Sequence, residues 1–246
     1  METKASPYWI GTSGWTYAHW QGAFYPADLS KSRWFEYYLE RFPTVEVNAT
    51  FYHTFKDGTY HNWYTRTPPG FQFVLKAPRW ITHRKFLLDV TEDIQKFCGS
   101  ASLLEGKLGM ILLQVAPDTP YDLERLRCAL LAFDDPRKVA VEFRRAEWLN
   151  EDTFELLKSL GATFCSADSP GCSLSERLTS GTAYLRLHGR THWYSHNYSE
   201  AELHEIANLA RRLFGQGAQR VFIFFNNDFE AHAPYNALAL RTLLAG

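Results

Sequence analysis

The chain has 246 residues, with 26 basic against 27 acidic side chains for a formal net charge of −1, 22% charged residues and 16% aromatic ones. As one globule a chain of this length buries roughly 70–75% of its unfolded surface, so a core forms without disulfides or metals. The even charge balance excludes a disordered charged tail and a polybasic nucleic-acid arm. Residues 1–9 are polar and no run approaches 20 apolar residues, so neither a secretory leader nor a membrane span is expected, and the predicted compartment is the cytoplasm. Cys98, Cys128, Cys165 and Cys172 stand far apart with no CxxC pair, which predicts reduced thiols.

In chain order, strands are predicted at 8–13, 44–48, 71–76, 108–115, 138–143, 163–168, 182–188 and 220–226. Two of them, around Met110-Ile111-Leu112-Leu113 and Val221-Phe222-Ile223-Phe224-Phe225, are apolar at every position, as parallel strands covered on both faces should be. Helical period appears between them at 33–41, 59–66, 152–160 and 236–244. It recurs in Ile94, Phe97, Ala101 and Leu104, in Leu123, Leu126, Leu130 and Phe133, and in Leu203, Ile206, Ala210 and Leu213. Ser199 with Glu202 forms a capping box, Asp122 and Asn150 are N-caps, and Gly106, Gly161 and Gly215 stand where helices should stop. Residues 169–181 are polar with little helical pattern, so the sixth crossover is predicted to be irregular.

Eight strand-helix units without a dividing linker predict an α/β fold, a (β/α)8 TIM-type barrel formed by one domain over residues 1–246. An open doubly wound sheet would carry a Gly-rich phosphate turn after the first strand. Gly11-Thr12-Ser13-Gly14-Trp15 fails that pattern, because Trp15 and Trp20 follow where a tight turn into a helix is needed.

In this barrel the site belongs at the C-terminal ends of the strands, and period-two alternation selects the side chains that stand there. Glu46 and Asn48 share one face of the second strand, and Val74 and Lys76 one face of the third. Gln114 ends the fourth, Glu142 and Arg144 mark the fifth, and Asp168 ends the sixth. Arg186 and His188 lie on the seventh, and Asn226, Asn227 and Asp228 follow the eighth. Grouping so many polar side chains costs desolvation that structure alone does not require.

Several chemistries suit these residues. Glu46 and Glu142 form a candidate acid/base pair, with His188 as a further catalytic candidate. They do not sit on the fourth and seventh strands, where the large glycosidase clan of this fold places its carboxylates. Lys76, Arg144 and Arg186 favour an anion, although Lys76 also suits a Schiff base, and Glu142 with an arginine also suits a plain buried ion pair. No cofactor is predicted. A divalent metal on Glu46, Glu142, Asp168, His188 and Asp228 remains an alternative weakened by the shortage of histidines. Trp15, Tyr17, Trp20, Phe24, Tyr25, Phe51, Tyr52, Trp80, Trp193, Tyr194 and Tyr198 fall in loops after strands, where rings either stack on a sugar or base or seal the loops.

The expected ligand is therefore a small anionic or polyhydroxylated molecule, sugar-phosphate-like or nucleotide-like, acted on by a hydrolase or isomerase. Ser13, Trp15, Asn48, Tyr52, Lys76, Gln114, Arg144, Asp168, Arg186, Asn226, Asn227 and Asp228 are its candidate binding residues. The alternatives are a noncatalytic module for nucleic acid or protein, which the absence of a lysine-rich stripe disfavours, and a metal-assisted hydrolase or isomerase. No membrane partner is expected.

The motifs Ile10-Gly11-Thr12-Ser13-Gly14-Trp15, Val45-Glu46-Val47-Asn48-Ala49-Thr50-Phe51-Tyr52, Phe71-Gln72-Phe73-Val74-Leu75-Lys76, Leu112-Leu113-Gln114, Val141-Glu142-Phe143-Arg144, Tyr184-Leu185-Arg186-Leu187-His188-Gly189 and Phe225-Asn226-Asn227-Asp228 occur in fixed order. In them the chain resembles the YecE-like family, a domain of unknown function, number seventy-two in that series. The resemblance runs from residue 8 to about residue 240 and implies a TIM-barrel fold. It implies no established reaction.

Overall fold

The computed structural model describes residues 6–245; the first five residues of the polar N-terminal stretch, and Gly246, lie outside it. Along the chain run β1 (Tyr8–Thr12), α1 (Trp34–Leu39), β2 (Thr44–Val47), α2 (Ala49–Tyr52), α3 (Asp57–Arg66), β3 (Gln72–Lys76), α4 (Thr91–Ala101), β4 (Leu108–Gln114) and α5 (Leu123–Leu131). They are followed by β5 (Val139–Glu142), α6 (Glu151–Leu160), β6 (Thr163–Asp168), β7 (Thr182–Leu187), α7 (Glu200–Gly215), β8 (Arg220–Phe225) and α8 (His232–Ala245). The strand order is β1-β8-β7-β6-β5-β4-β3-β2. Parallel strands alternating with helices in this order make the predicted (β/α)8 TIM-type fold. No helix of the described residues is long and apolar enough to cross a membrane.

The chain divides into two compact units, residues 46–165 forming one and the flanking segments, up to 45 and from 166, the other. Within the 46–165 unit, β4 pairs with β3 and β5 and sets Gln114 level with Glu142. Val74, Leu75, Met110, Leu112, Leu113 and Val141 fill its core. Within the other unit β8 pairs with β1 and β7, setting Thr12, Phe225 and Leu187 level. Ladder hydrogen bonding runs one step past the strands, since Ser13 N–H donates to the Phe225 carbonyl at 2.9 Å and Asn226 N–H to the Leu187 carbonyl at 2.8 Å. Gly11 is required where β1 meets the Thr44 carbonyl, which a Cβ at that position would overlap.

Local chemistry accounts for several helix ends. The Asp122 and Asn150 side chains accept from the N–H groups of Arg125 and Thr153, and the Ser199–Glu202 box is complete. Gly161 takes the left-handed conformation at φ 68° that ends α6. Gly215 is the last residue of α7, as expected. At the end of α7, Ala218 N–H reaches back to the Leu213 carbonyl, a closure that needs its left-handed residue two positions past Gly215, and Gly217 supplies it at φ 108°. Gly106 lies inside the 3-10 run Ser102–Lys107, in which Glu105 is the left-handed residue.

Six predicted strands run one residue too far, because Ser13, Asn48, Val115, Phe143, His188 and Asn226 follow their strands. Asn48 is already helical, at φ −76° and ψ −18°, and leads into α2, which no periodicity announced. No helix links β6 to β7, as expected. Ser169 and Cys172 exchange backbone hydrogen bonds there, and Ser175 N–H donates to Ser166 Oγ at 2.7 Å. All four cysteines are free thiols, and burial pushes the Cys98 thiol up to about 11, leaving it unreactive.

Candidate functional site

The predicted residues of the 46–165 unit gather at the ends of β3, β4 and β5. Glu142 is 0% exposed. One of its oxygens accepts from Arg144 Nε at 2.5 Å and from Gln114 Nε2 at 3.0 Å. Such bonding holds a carboxylate oriented in a buried place. Lys76 is buried, with its ammonium 4.1 Å from the centre of the Phe51 ring. Its carbonyl is held by the Thr50 hydroxyl at 2.7 Å. Glu46 is fully buried in β2. Asn48 keeps a buried Oδ1 that accepts no hydrogen bond, an acceptor a ligand donor can satisfy. Tyr52 is 65% exposed, edge-on to Phe51.

His83 belongs with these residues, and no spacing along the chain announces it. A π-helix, Trp80–Arg84, carries it beside Phe51, the two rings 5.0 Å apart and edge to face. Its Nδ1 lies 2.7 Å from the Thr82 hydroxyl. Burial, then the charges of Lys76, Arg79 and Arg144, lower its imidazole from 6.5 to about 4, with Asp118 acting the other way.

That shift has a consequence for stability. The unfolded chain binds a proton near 6.5 and the folded one near 4, so stability present above the first value falls as pH drops toward the second. Half-exposure of the ring discounts the loss to about 1–2 kcal/mol. Urea unfolding midpoints are expected to fall between pH 6.5 and 4 less steeply in His83→Gln than in the parent. Equal slopes would sink this account.

In the other unit the centre is His188, fully buried just past β7. Its Nδ1 faces the Asn226 amide at 2.9 Å and its Nε2 faces the Arg186 guanidinium at 3.5 Å. Trp193 and Tyr194 lie over the ring, their centroids 5.4 and 5.9 Å away. The next residue, Gly189, gives its N–H to the Tyr198 hydroxyl at 3.0 Å. Asp168 ends β6 beside Tyr198 and takes Arg190 Nε at 3.0 Å, while burial raises its carboxyl. Arg190 continues to Glu205 at 2.7 Å.

The three residues after β8 do different work. Asn226 holds His188. Asn227, fully buried, donates to the His196 carbonyl and to Asn236 Oδ1, each at 2.8 Å. The Asp228 carbonyl accepts from Trp20 Nε1 at 2.9 Å and meets His19 Nε2 at 2.7 Å, and its carboxylate stands 3.5 Å from the same nitrogen. Burial raises the Asp228 carboxyl. His19 is thus another imidazole that sequence spacing did not reveal. Ser13 is buried and accepts the Tyr17 hydroxyl on its carbonyl, and Trp15 packs on Phe35 with centroids 4.8 Å apart.

The aromatic loop residues divide into two groups. Trp20, Phe24, Tyr25, Phe51 and Tyr198 are buried, so of the two alternatives these rings take the second and seal the loops. Tyr52, Trp80, Trp193 and Tyr194 are exposed. Among the described residues no group of three His, Cys, Asp or Glu side chains is arranged to hold a metal ion.

Comparison with known proteins places the chain. It is 26% identical to the UPF0759 protein YunF of Bacillus subtilis, over 96% of this chain and 94% of that one. The crystal structure of a DUF72 family protein from Thermotoga maritima is similar to it with a TM-score of 0.89 and 29% identity, covering 97% of this chain and 99% of that one. One from Enterococcus faecalis shares the fold with a TM-score of 0.83 at 19% identity, over 97% and 96% of the two chains. A family model described as a protein of unknown function, DUF72, matches residues 9–246, and the chain belongs to that family.

Proposed function

We propose that the protein acts on a small anionic, sugar-phosphate-like molecule bound at the ends of β3, β4 and β5, by hydrolysis or isomerisation through acid/base chemistry. Glu142 is the proton-transfer group, held ready by Gln114 and Arg144. Lys76 and Arg144 hold the negative charge, Asn48 and Gln114 orient the ligand, and Glu46 is the second carboxylate. The observation that supports this reading is the cluster at His83, where burial and then the charges of Lys76, Arg79 and Arg144 keep an imidazole neutral. A phosphate or carboxylate relieves the field of those charges, and the neutral ring can donate to it. Within its own unit, the Arg186–His188–Asn226 cluster is a further candidate for ligand contact.

Calorimetric titration with inorganic phosphate tests the reading. Saturable binding is expected, weakened about tenfold or more in Lys76→Met because a charge-assisted contact is lost. A titration unchanged by that substitution overturns it. The exposed Trp193 and Tyr194 favour a second reading, a noncatalytic module that stacks nucleobases. Retention of single-stranded oligonucleotide that Trp193→Ala abolishes and Lys76→Met leaves intact would support that reading instead.

A further inference from the structure

A cavity of about 170 Å³ opens in the 46–165 unit beside α3 and α4. Tyr60, Trp80, Ile81, Lys96 and Phe97 are among its lining residues, and Lys76, Gln114, Glu142 and Arg144 are not. Its walls are mostly rings and aliphatic carbon, with Trp80 56% exposed and Ile81 and Phe97 buried. An apolar cavity of roughly 150 Å³ accommodates benzene, so this space fits one six-membered ring with a small substituent.

Two polar groups set the substituent. Tyr60 is 2% exposed, its ring fixed against Trp63 at 5.4 Å, yet its hydroxyl makes no hydrogen bond among the described residues. The hydroxyl is not among the polar atoms sealed from solvent without a partner, so it is open to a ligand in the cavity it lines. Burial and the nearby Asp57 raise this phenol, which therefore stays a donor. Lys96 adds an ammonium that forms no ion pair among the described residues, whereas the carboxylate of Asp93, also on the wall, is engaged by Lys85 at 2.8 Å. The Tyr60 hydroxyl and the solvent-exposed Lys96 ammonium at the cavity's edge suit an anionic acceptor.

We propose that this cavity binds a single-ring aromatic carboxylate, with its ring among Tyr60, Trp80, Ile81 and Phe97 and its carboxylate on the Tyr60 hydroxyl and the Lys96 ammonium. The site is separate from the one proposed for the anionic substrate. It shares two elements with it: Thr50 lines the cavity and holds the Lys76 carbonyl, and the π-helix that supplies Trp80 and Ile81 also carries His83. Occupancy of the cavity therefore alters the surroundings of His83.

Benzoate is the probe, followed by titration calorimetry and by the ring resonances of His83. Saturable binding with a dissociation constant on the order of a millimolar is expected, with acetate at least tenfold weaker because it brings no ring. Lys96→Met and the cavity-filling Ser100→Phe are each expected to weaken benzoate at least tenfold, and the His83 signals to move with saturation in the parent only. Absence of saturable benzoate binding at about 10 mM, or binding that both substitutions leave unchanged, overturns the site. Binding that leaves the His83 resonances unmoved overturns its link to the anion cluster.

Discussion

Gly189→Ala is expected to destabilise the protein by about 3 kcal/mol or more. Gly189 has φ 109°, a conformation L side chains rarely adopt. An added Cβ would stand 2.5 Å from the His192 carbonyl oxygen and 2.7 Å from the His196 Cβ. Neither obstacle is the free end of a flexible side chain. The backbone of 190–196 would have to move, pulling Gly189 N–H from the Tyr198 hydroxyl and Tyr194 N–H from the His188 carbonyl, now bonded at 3.0 and 2.7 Å. For a chain of this size the penalty corresponds to a fall of about 6–12 °C in Tm, measurable by calorimetry. A fall under about 2 °C would show that the loop relaxes without strain and that His188 is not rigidly framed.

Glu142→Ala is expected to cost about 3 kcal/mol, with Glu142→Gln costing less than half as much. Alanine leaves the Arg144 guanidinium and the Gln114 amide without the oxygen they share at 2.5 and 3.0 Å, and opens a void at a fully buried position. Glutamine keeps the volume and an acceptor oxygen while removing the charge. Removing one negative charge from beside Arg144 is also expected to strengthen phosphate binding to Glu142→Gln severalfold. Urea unfolding and phosphate titration of both variants separate the two roles. Equal destabilisation by alanine and glutamine would mean that charge, rather than packing and hydrogen bonding, holds this place together.

Much of the site was legible before the fold was known, for a reason visible in single residues. Lys76, Gln114, Glu142 and Asp168 close their strands where period-two alternation put them, because alternation is a property of extended backbone. Asn150 and Ser199 cap helices because capping needs only a side chain and an N–H two or three residues away. Gly106 misled for a related reason. A helix stop depends on which residue turns left-handed as well as on where a glycine occurs, and there that residue is Glu105.

His83 and His19 were invisible to the same reasoning. Each lies outside the strands, His83 on a π-helix and His19 in the loop after β1, and neither position follows from periodicity. His83 acquires its depressed imidazole from burial and then from the charges of Lys76, Arg79 and Arg144, the last 61 positions away, and His19 meets Asp228 across 209. The aromatic loops likewise looked uniform, yet Trp20 is fully buried and Trp80 largely exposed. The sequence by itself determined the alternation of strands and helices, several caps and the polar strand ends, since these follow from local periodicity and short-range hydrogen bonds. Only the tertiary structure decided which histidines join the charged clusters, which rings face outward and where a tyrosine hydroxyl borders a cavity, because burial and electrostatic field are set by residues distant in the chain.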